Sequence, residues 1–244
     1  MTSPLIPITI PSIYKDKAGN NIPLPAHMAK CTPDAHAAII SLSKSLEAKG
    51  GNLMLSDMFR NDEMQHKAYD DYISGHKKAF SPRPGGSFHE AGRAFDINLS
   101  AIKIPLSEFW SIAVKVGVYP IVKQPDPTLL EAWHFECRGS HQLVYDYYVT
   151  LGSKRNLSPY TAAAASAILS IGVVVDVFGD RQVEAAIQSC LIRLGKDIGN
   201  MDGVLGVQTK GALEEMGLKF SLRSKLDMLY KLEGMIKLKL PGEC

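Results

Sequence analysis

SFHEAGRAFDINLS, residues 87 to 100, places His89 seven positions before Asp96, with Gly92 between them and Ala91 and Ala94 to either side of the glycine. Imidazole and carboxylate are both zinc ligands, and a hydrolytic zinc site takes three such side chains while leaving a fourth position open for water or substrate. His89 and Asp96 can reach one ion if the chain between them reverses, and the glycine and the two alanines let the backbone fold close. A plainer arrangement fits the same letters, with His89 capping a loop and Asp96 ending a strand. RAFDINL reads as a short strand, so the pair sits where a loop delivers the chain into a sheet.

A second stretch bears on the choice. EAWHFE, residues 131 to 136, carries Glu131 and His134, and His134 offers a third ligand. Side chains alternate across a strand, so residues three apart point to opposite faces of a regular one. Glu131 and His134 can therefore share a site only if Glu131 lies in the irregular chain leading into the strand, which PDPTLLE permits. A histidine alone on an apolar strand is usually a core residue; here it stands beside a carboxylate, a tryptophan and the first motif.

Working outward, AHAAIISLSKSLEAK (35–49) has helical spacing and stops at Gly50 and Gly51. NLMLSDMF predicts a short strand, DEMQHKAYDDYISG a second amphipathic helix closed by Gly75, and PLSEFWSIAVKVG a third helix starting near Ser107. Helices and short strands without regular βαβ alternation predict an α+β fold, with a small, mainly antiparallel sheet flanked by helices. The proline-punctuated residues 1–34 read as an extended arm of a first domain, 1–150. A polar linker follows at 151–160, and residues 161–244, where strand signals vanish, read as a small three-helix domain with an added C-terminal segment.

Composition excludes several classes. The chain has 244 residues and a formal net charge of +2, from 27 Lys and Arg against 25 Asp and Glu, too little field to imply a nucleic-acid partner. The longest apolar run, Ala162 to Val175, is broken by Ser166, Ser170 and Gly172 and is shorter than the ~20 residues a spanning helix requires, so no membrane span is expected. The first 20 residues have no basic start and contain prolines at 4, 7 and 11, which is not a signal peptide. Four dispersed cysteines, Cys31, Cys137, Cys190 and Cys244, form no CxxC pair and are expected as free thiols.

Ser87, His89, Gly92, Ala94 and Asp96, spaced S-x-H-x-x-G-x-A-x-D, followed by Glu131, Trp133 and His134 as E-x-W-H, resemble the zinc D-alanyl-D-alanine carboxypeptidases and the related phage L-alanyl-D-glutamate endopeptidases. Upstream, MFRNDEMQ is similar to the F/Y-R-x4-Q element of that family and puts Arg60 and Gln65 on matching positions; the likeness spans residues 35–148. The resemblance implies that His89, Asp96 and His134 hold Zn²⁺ and that Glu131 is the general base. It further implies that Arg60 stabilises the oxyanion or a substrate carboxylate, and that Ser87 and Gln65 belong to the substrate-binding set. For Arg60 the plainer alternative is a surface pair with Asp62 or Glu63. For Ser87 the alternative is a hydrogen bond within its own loop, for Gln65 a bond to backbone beneath the site, and Glu136 either faces solvent or orients a ligand.

VEAAIQSCLIRLGKDIGNMDGVLGVQTKGALEEMG, residues 183 to 217, resembles the helical peptidoglycan-binding repeat. Ile187, Leu191 and Leu194 would form its buried stripe, Asp202, Gly203 and Gly206 its turn, and Thr209 the start of its next helix. It departs from the pattern at its LEEMG ending and in the added segment FSLRSKLDMLYKLEGMIKLKL. Together the two resemblances imply a zinc peptidase of the peptidoglycan stem peptide with a wall-binding domain. They suggest a monomeric endolysin-type enzyme, made in the cytoplasm and reaching the wall on release or by non-classical export. The alternative is a non-catalytic, zinc-containing wall-binding protein, against which the presence of Glu131 argues.

Overall fold

The computed structural model describes residues 4–218 and 225–243. They divide into two compact units, one of residues 4–82 and 88–138, the other of 83–87 and 139–243.

The first unit is the α+β part. Its strands are β1 (Ile6–Pro7), β2 (Pro11–Lys15), β3 (Asn21–Pro23), β4 (Lys30–Cys31), β5 (Leu55–Asp57), β6 (Ala94–Ile97), β7 (Tyr119–Pro120) and β8 (His134–Glu136), and its helices are α1 (Pro33–Glu47), α2 (Asp62–Ile73) and α3 (Leu106–Lys115). Six strands form one sheet in the order β3-β2-β5-β6-β8-β7, antiparallel throughout except for β2 beside β5, while β1 and β4 pair separately. The extended N-terminal stretch thus contributes two strands to the main sheet.

The helices form where their sequence asks for them. Pro33 opens α1 with its φ preset and no donor to lose, and Ala35, Ala38, Ile39, Leu42 and Leu46 bury one stripe. Asn61 caps α2 by accepting a hydrogen bond from the Met64 amide at 2.9 Å. That helix buries a single residue completely, Gln65. Leu106, Phe109 and Ala113 of α3 pack into the core, where Phe109 meets Phe135 of β8 edge to face at 5.1 Å and Phe135 stacks on Phe95 of β6 at 6.2 Å. This aromatic layer fixes one face of β6 and β8 and leaves the opposite face for polar residues.

The second unit is helical: α4 (His141–Leu151), α5 (Pro159–Ser170), α6 (Gln182–Arg193), α7 (Val207–Glu215) and α8 (Lys225–Lys239). The apolar run that starts at Ala162 lies in α5, where every residue from Ala162 to Ser170 is buried within the bundle. Among the described residues no helix is long and apolar enough to cross a membrane. The added C-terminal segment supplies α8; its residues 219–224 lie outside the described residues. The turn at 200–204, after α6, is held together by Gln188. Its Oε1 accepts from the Asp202 and Gly203 amides at 3.0 and 2.7 Å, and its Nε2 donates to the Asn200 and Val204 carbonyls, each at 3.1 Å.

Cys31, Cys137 and Cys190 are buried and are not joined in disulfides. Burial pushes the Cys31 and Cys190 thiols up to about 12, which keeps them protonated and unreactive at neutral pH. Cys244 lies outside the described residues.

Candidate metal centre

His89 stands in a tight turn in which the Gly92 amide donates to the His89 carbonyl at 3.1 Å and the Arg93 amide to the Phe88 carbonyl at 2.9 Å. Gly92 closes that turn with φ +62°, and a Cβ there would meet Leu5 Cδ2 at 2.7 Å and the Cys31 Cα at 3.0 Å. Both the backbone angle and the close approach of β4 therefore require glycine. The chain between His89 and Asp96 does reverse, and Gly92 is where it does so.

Asp96 and His134 are direct cross-strand partners on β6 and β8, so their side chains rise from the same face of the sheet. His134 Nδ1 lies 2.8 Å from Asp96 Oδ1. His89 Nε2 lies 3.3 Å from His134 Nδ1 and 3.5 Å from Asp96 Oδ1. All three residues are buried, at 2%, 8% and 6% exposure for His89, Asp96 and His134.

The outer nitrogens of both rings are held. His89 Nδ1 sits 2.5 Å from the Met58 carbonyl. In the neutral ring Nδ1–H donates to that carbonyl and the Nε2 lone pair is left facing Asp96 and His134. His134 is held the other way round, with Nε2 3.2 Å from Glu136 Oε1 and Nδ1 turned inward. Glu136 is fully buried, and Arg138 Nε donates to its other oxygen at 2.5 Å. Glu136 therefore holds the His134 ring and does not face solvent. Its signal in the sequence is the period of two, which puts it on the same strand face as His134.

This geometry suits a tetrahedral metal. Ligand bonds of about 2.0–2.1 Å at tetrahedral angles separate donor atoms by about 3.3 Å, and the triangle of donors here has sides of 2.8, 3.3 and 3.5 Å. The donor set of two imidazole nitrogens and one carboxylate oxygen, each backed by a fixed partner, is the type zinc takes. Among the described residues, His89, Asp96 and His134 form the group of histidine, cysteine and acidic side chains able to hold a metal ion.

Glu131 adopts φ +70°, and its carbonyl accepts from the His134 amide at 3.0 Å. The three residues 131–133 thus form a turn ahead of β8, which removes the parity conflict with His134. A positive φ is uncommon for a residue with a Cβ and marks a backbone held by its surroundings. The side chain is half-buried, and its Oε1 is buried with no hydrogen-bond partner among the described residues. Burial raises the Glu131 carboxyl above its ordinary value, against the opposing charge of His134.

The charges of the three-residue cluster are strongly linked in the absence of metal. Burial alone would lower the His134 imidazolium, but hydrogen bonds to Asp96 and Glu136 outweigh it and push it up to about 10. Burial would likewise raise Asp96, and the His89 charge together with the His134 hydrogen bond holds it well below the carboxylate range instead.

Arg60 is buried and does not pair with Asp62 or Glu63. Its Nε and Nη2 both bind Asp57 Oδ2, at 2.7 and 2.5 Å, its Nη1 donates to Gln65 Oε1 at 3.2 Å, and its Nη2 lies 3.9 Å from Asp96 Oδ2. Asp57 lies opposite Asp96 on the neighbouring strand β5, so the guanidinium sits against two carboxylates at once. The Gln65 amide is fully engaged, since its Nε2 donates to Ser81 Oγ and the Pro82 carbonyl at 3.1 and 2.7 Å. Ser87 is buried and belongs to the second compact unit.

No family model matches the chain, and no curated relative matches it by sequence. Among solved structures it is similar to the LD-carboxypeptidase LdcB, described as revealing peptidoglycan recognition, with 19% identity and a TM-score of 0.42 over 54% of this chain and 66% of that one. It is also similar to the vancomycin-resistance D,D-pentapeptidase VanY in complex with Zn(II), with 18% identity and a TM-score of 0.37 over 50% of this chain and 76% of that one. A third is the L,D-carboxypeptidase DacB from Streptococcus pneumonia, with 20% identity and a TM-score of 0.33 over 54% of this chain and 85% of that one. The matched region spans just under two thirds of the first of these proteins.

Proposed function

We propose that this chain is a zinc-dependent peptidase that hydrolyses an amide bond of the peptidoglycan stem peptide, D-Ala-D-Ala as a carboxypeptidase or L-Ala-D-Glu as an endopeptidase. The observation that carries the reading is the convergence of His89 Nε2, Asp96 Oδ1 and His134 Nδ1 within 3.5 Å of one another in a unit that also holds the unpartnered Oε1 of Glu131. Those three atoms would hold zinc, which when bound supplies Lewis acidity and makes water acidic enough to react near neutral pH.

The chain's own groups account for the rest. Glu131 takes a proton from the attacking water and delivers it to the departing amine nitrogen, a transfer that needs a free carboxylate oxygen and gains from the raised proton affinity that burial gives it. Arg60, fixed by Asp57 and Gln65, contributes a stationary positive charge beside Asp96 that favours an oxyanion. In this reading Gln65 acts by holding Arg60, Ser87 contacts the substrate, and residues 161–244 bind the wall polymer as part of a monomeric, endolysin-type enzyme that meets its substrate after release.

Digestion of purified peptidoglycan followed by mass spectrometry of the products tests the reading. Loss of a single terminal alanine identifies the carboxypeptidase and release of whole stem peptides the endopeptidase, with a chelator suppressing either. Binding of zinc and wall without any product would instead support the non-catalytic alternative.

A further inference from the structure

His134, Glu136 and Arg138 follow one another at the period of two that keeps side chains on one face of a strand. Arg138 lies beyond the end of β8, yet the pairing with the segment that carries the other two ligands continues up to it. Ala94 of β6 is opposite Glu136, the Cys137 amide donates to the Arg93 carbonyl at 2.8 Å, and Arg93 Nη1 donates to the Cys137 carbonyl at 3.0 Å. The backbone leading into Arg138 is thus pinned beside Arg93, whose own amide closes the His89 turn.

Two contacts fix where the guanidinium goes. Its Nε donates to Glu136 Oε2 at 2.5 Å, and its central carbon lies 5.5 Å from the centre of the Phe88 ring. A planar cation over an aromatic face is held in orientation as well as in place. Phe88 is fully buried and immediately precedes His89, while Glu136 holds the His134 ring with its other oxygen at 3.2 Å. Arg138 therefore touches both of the chain segments that carry the imidazole ligands, all within one compact unit.

The Glu136 side chain is 1% exposed and that of Arg138 17%. A carboxylate that deep needs a counter-charge, and an imidazole that ligates a metal is neutral. The guanidinium, charged at any working pH, supplies a lasting positive charge at the outer oxygen of Glu136. We propose that Arg138 is a positioning residue of the metal centre: seated on Phe88, it fixes the Glu136 carboxylate that turns His134 Nδ1 toward Asp96 and His89. This rests on the zinc-binding part of the reading above and is independent of which bond is cut.

Zinc affinity of the full-length protein, read against a competing chelator, tests this through a double-mutant cycle. Arg138→Met should weaken zinc binding by about 10- to 100-fold, the range for losing an outer partner of a metal ligand. Arg138→Lys keeps the charge but not the flat, directed donor, and should fall between Arg138→Met and wild type. In a Glu136→Gln background Arg138→Met should have little further effect, because the residue it acts through is already changed. The proposal is overturned if Arg138→Met keeps wild-type zinc affinity, or if it weakens binding by the same factor in the Glu136→Gln background, as a general loss of stability would. If Arg138→Met does not fold, Arg138→Lys in the two backgrounds decides by the same criterion. Should wild type itself bind no zinc, the metal-centre reading falls and this proposal with it; zinc binding that Arg138→Met leaves unchanged removes the proposal alone.

Discussion

His134 Nε2 lies 3.2 Å from Glu136 Oε1, two residues along the same face of β8. This contact holds His134 Nε2, so that Nδ1 faces Asp96 and His89. Glu136→Gln keeps the shape and removes the charge. Zinc affinity measured against a competing chelator should fall about 10- to 100-fold, the usual effect of losing such a partner. Unchanged affinity would show that Glu136 does not orient the ring.

Zinc binding should depend on pH in a defined direction. In the metal-free protein His134 holds its proton up to about 10, against a free value of 6.5. The stabilising contribution of that proton is complete below the free value and is lost as pH rises through about 10. Zinc needs the nitrogen bare, so its apparent affinity should move oppositely and tighten by about tenfold per pH unit across the neutral range. Calorimetry in buffers of different ionisation enthalpy should show about one proton released per zinc from His134, and release of none would contradict the assignment.

Much of this site was legible in the sequence, because its logic is local. Strand parity allowed Glu131 and His134 to share a site only if Glu131 sat outside β8, and the structure puts Glu131 ahead of that strand with φ +70°. The need for glycine at position 92 was visible in outline, as a chain reversal between His89 and Asp96. What was hidden depends on how the strands pair. Asp57 is three residues before Arg60, as Glu63 is three after it, and what the sequence did not show is that β5 pairs with β6 and sets Asp57 opposite Asp96, so that Arg60 lies against both carboxylates and not against Asp62 or Glu63. The place of β2 and β3 in the main sheet was hidden for the same reason, since prolines announce extended chain but not its partner.

The helical unit contains a second buried polar cluster whose energetics can be separated. Arg193 Nη2 pairs with Glu243 at 2.8 Å, and Ser140 Oγ bridges both, 2.7 Å from Arg193 Nε and 2.8 Å from Glu243 Oε2. Glu243→Ala should cost about 3–5 kcal/mol in chemical denaturation, because it leaves a buried guanidinium without its counter-charge. The double replacement Arg193→Met with Glu243→Leu should cost much less. Equal losses in the two variants would show that packing, and not the unpaired charge, sets the cost.

In the proposed mechanism Glu131 performs chemistry at a metal it does not hold. The direct test measures zinc content and peptidoglycan hydrolysis together for wild type and Glu131→Ala. The variant should keep about one zinc per chain, as expected from an intact three-ligand site, and lose roughly 10²- to 10⁴-fold in turnover, as expected from removing a positioned base. Near-normal hydrolysis by zinc-loaded Glu131→Ala, or full hydrolysis by wild type stripped of metal, would contradict the account.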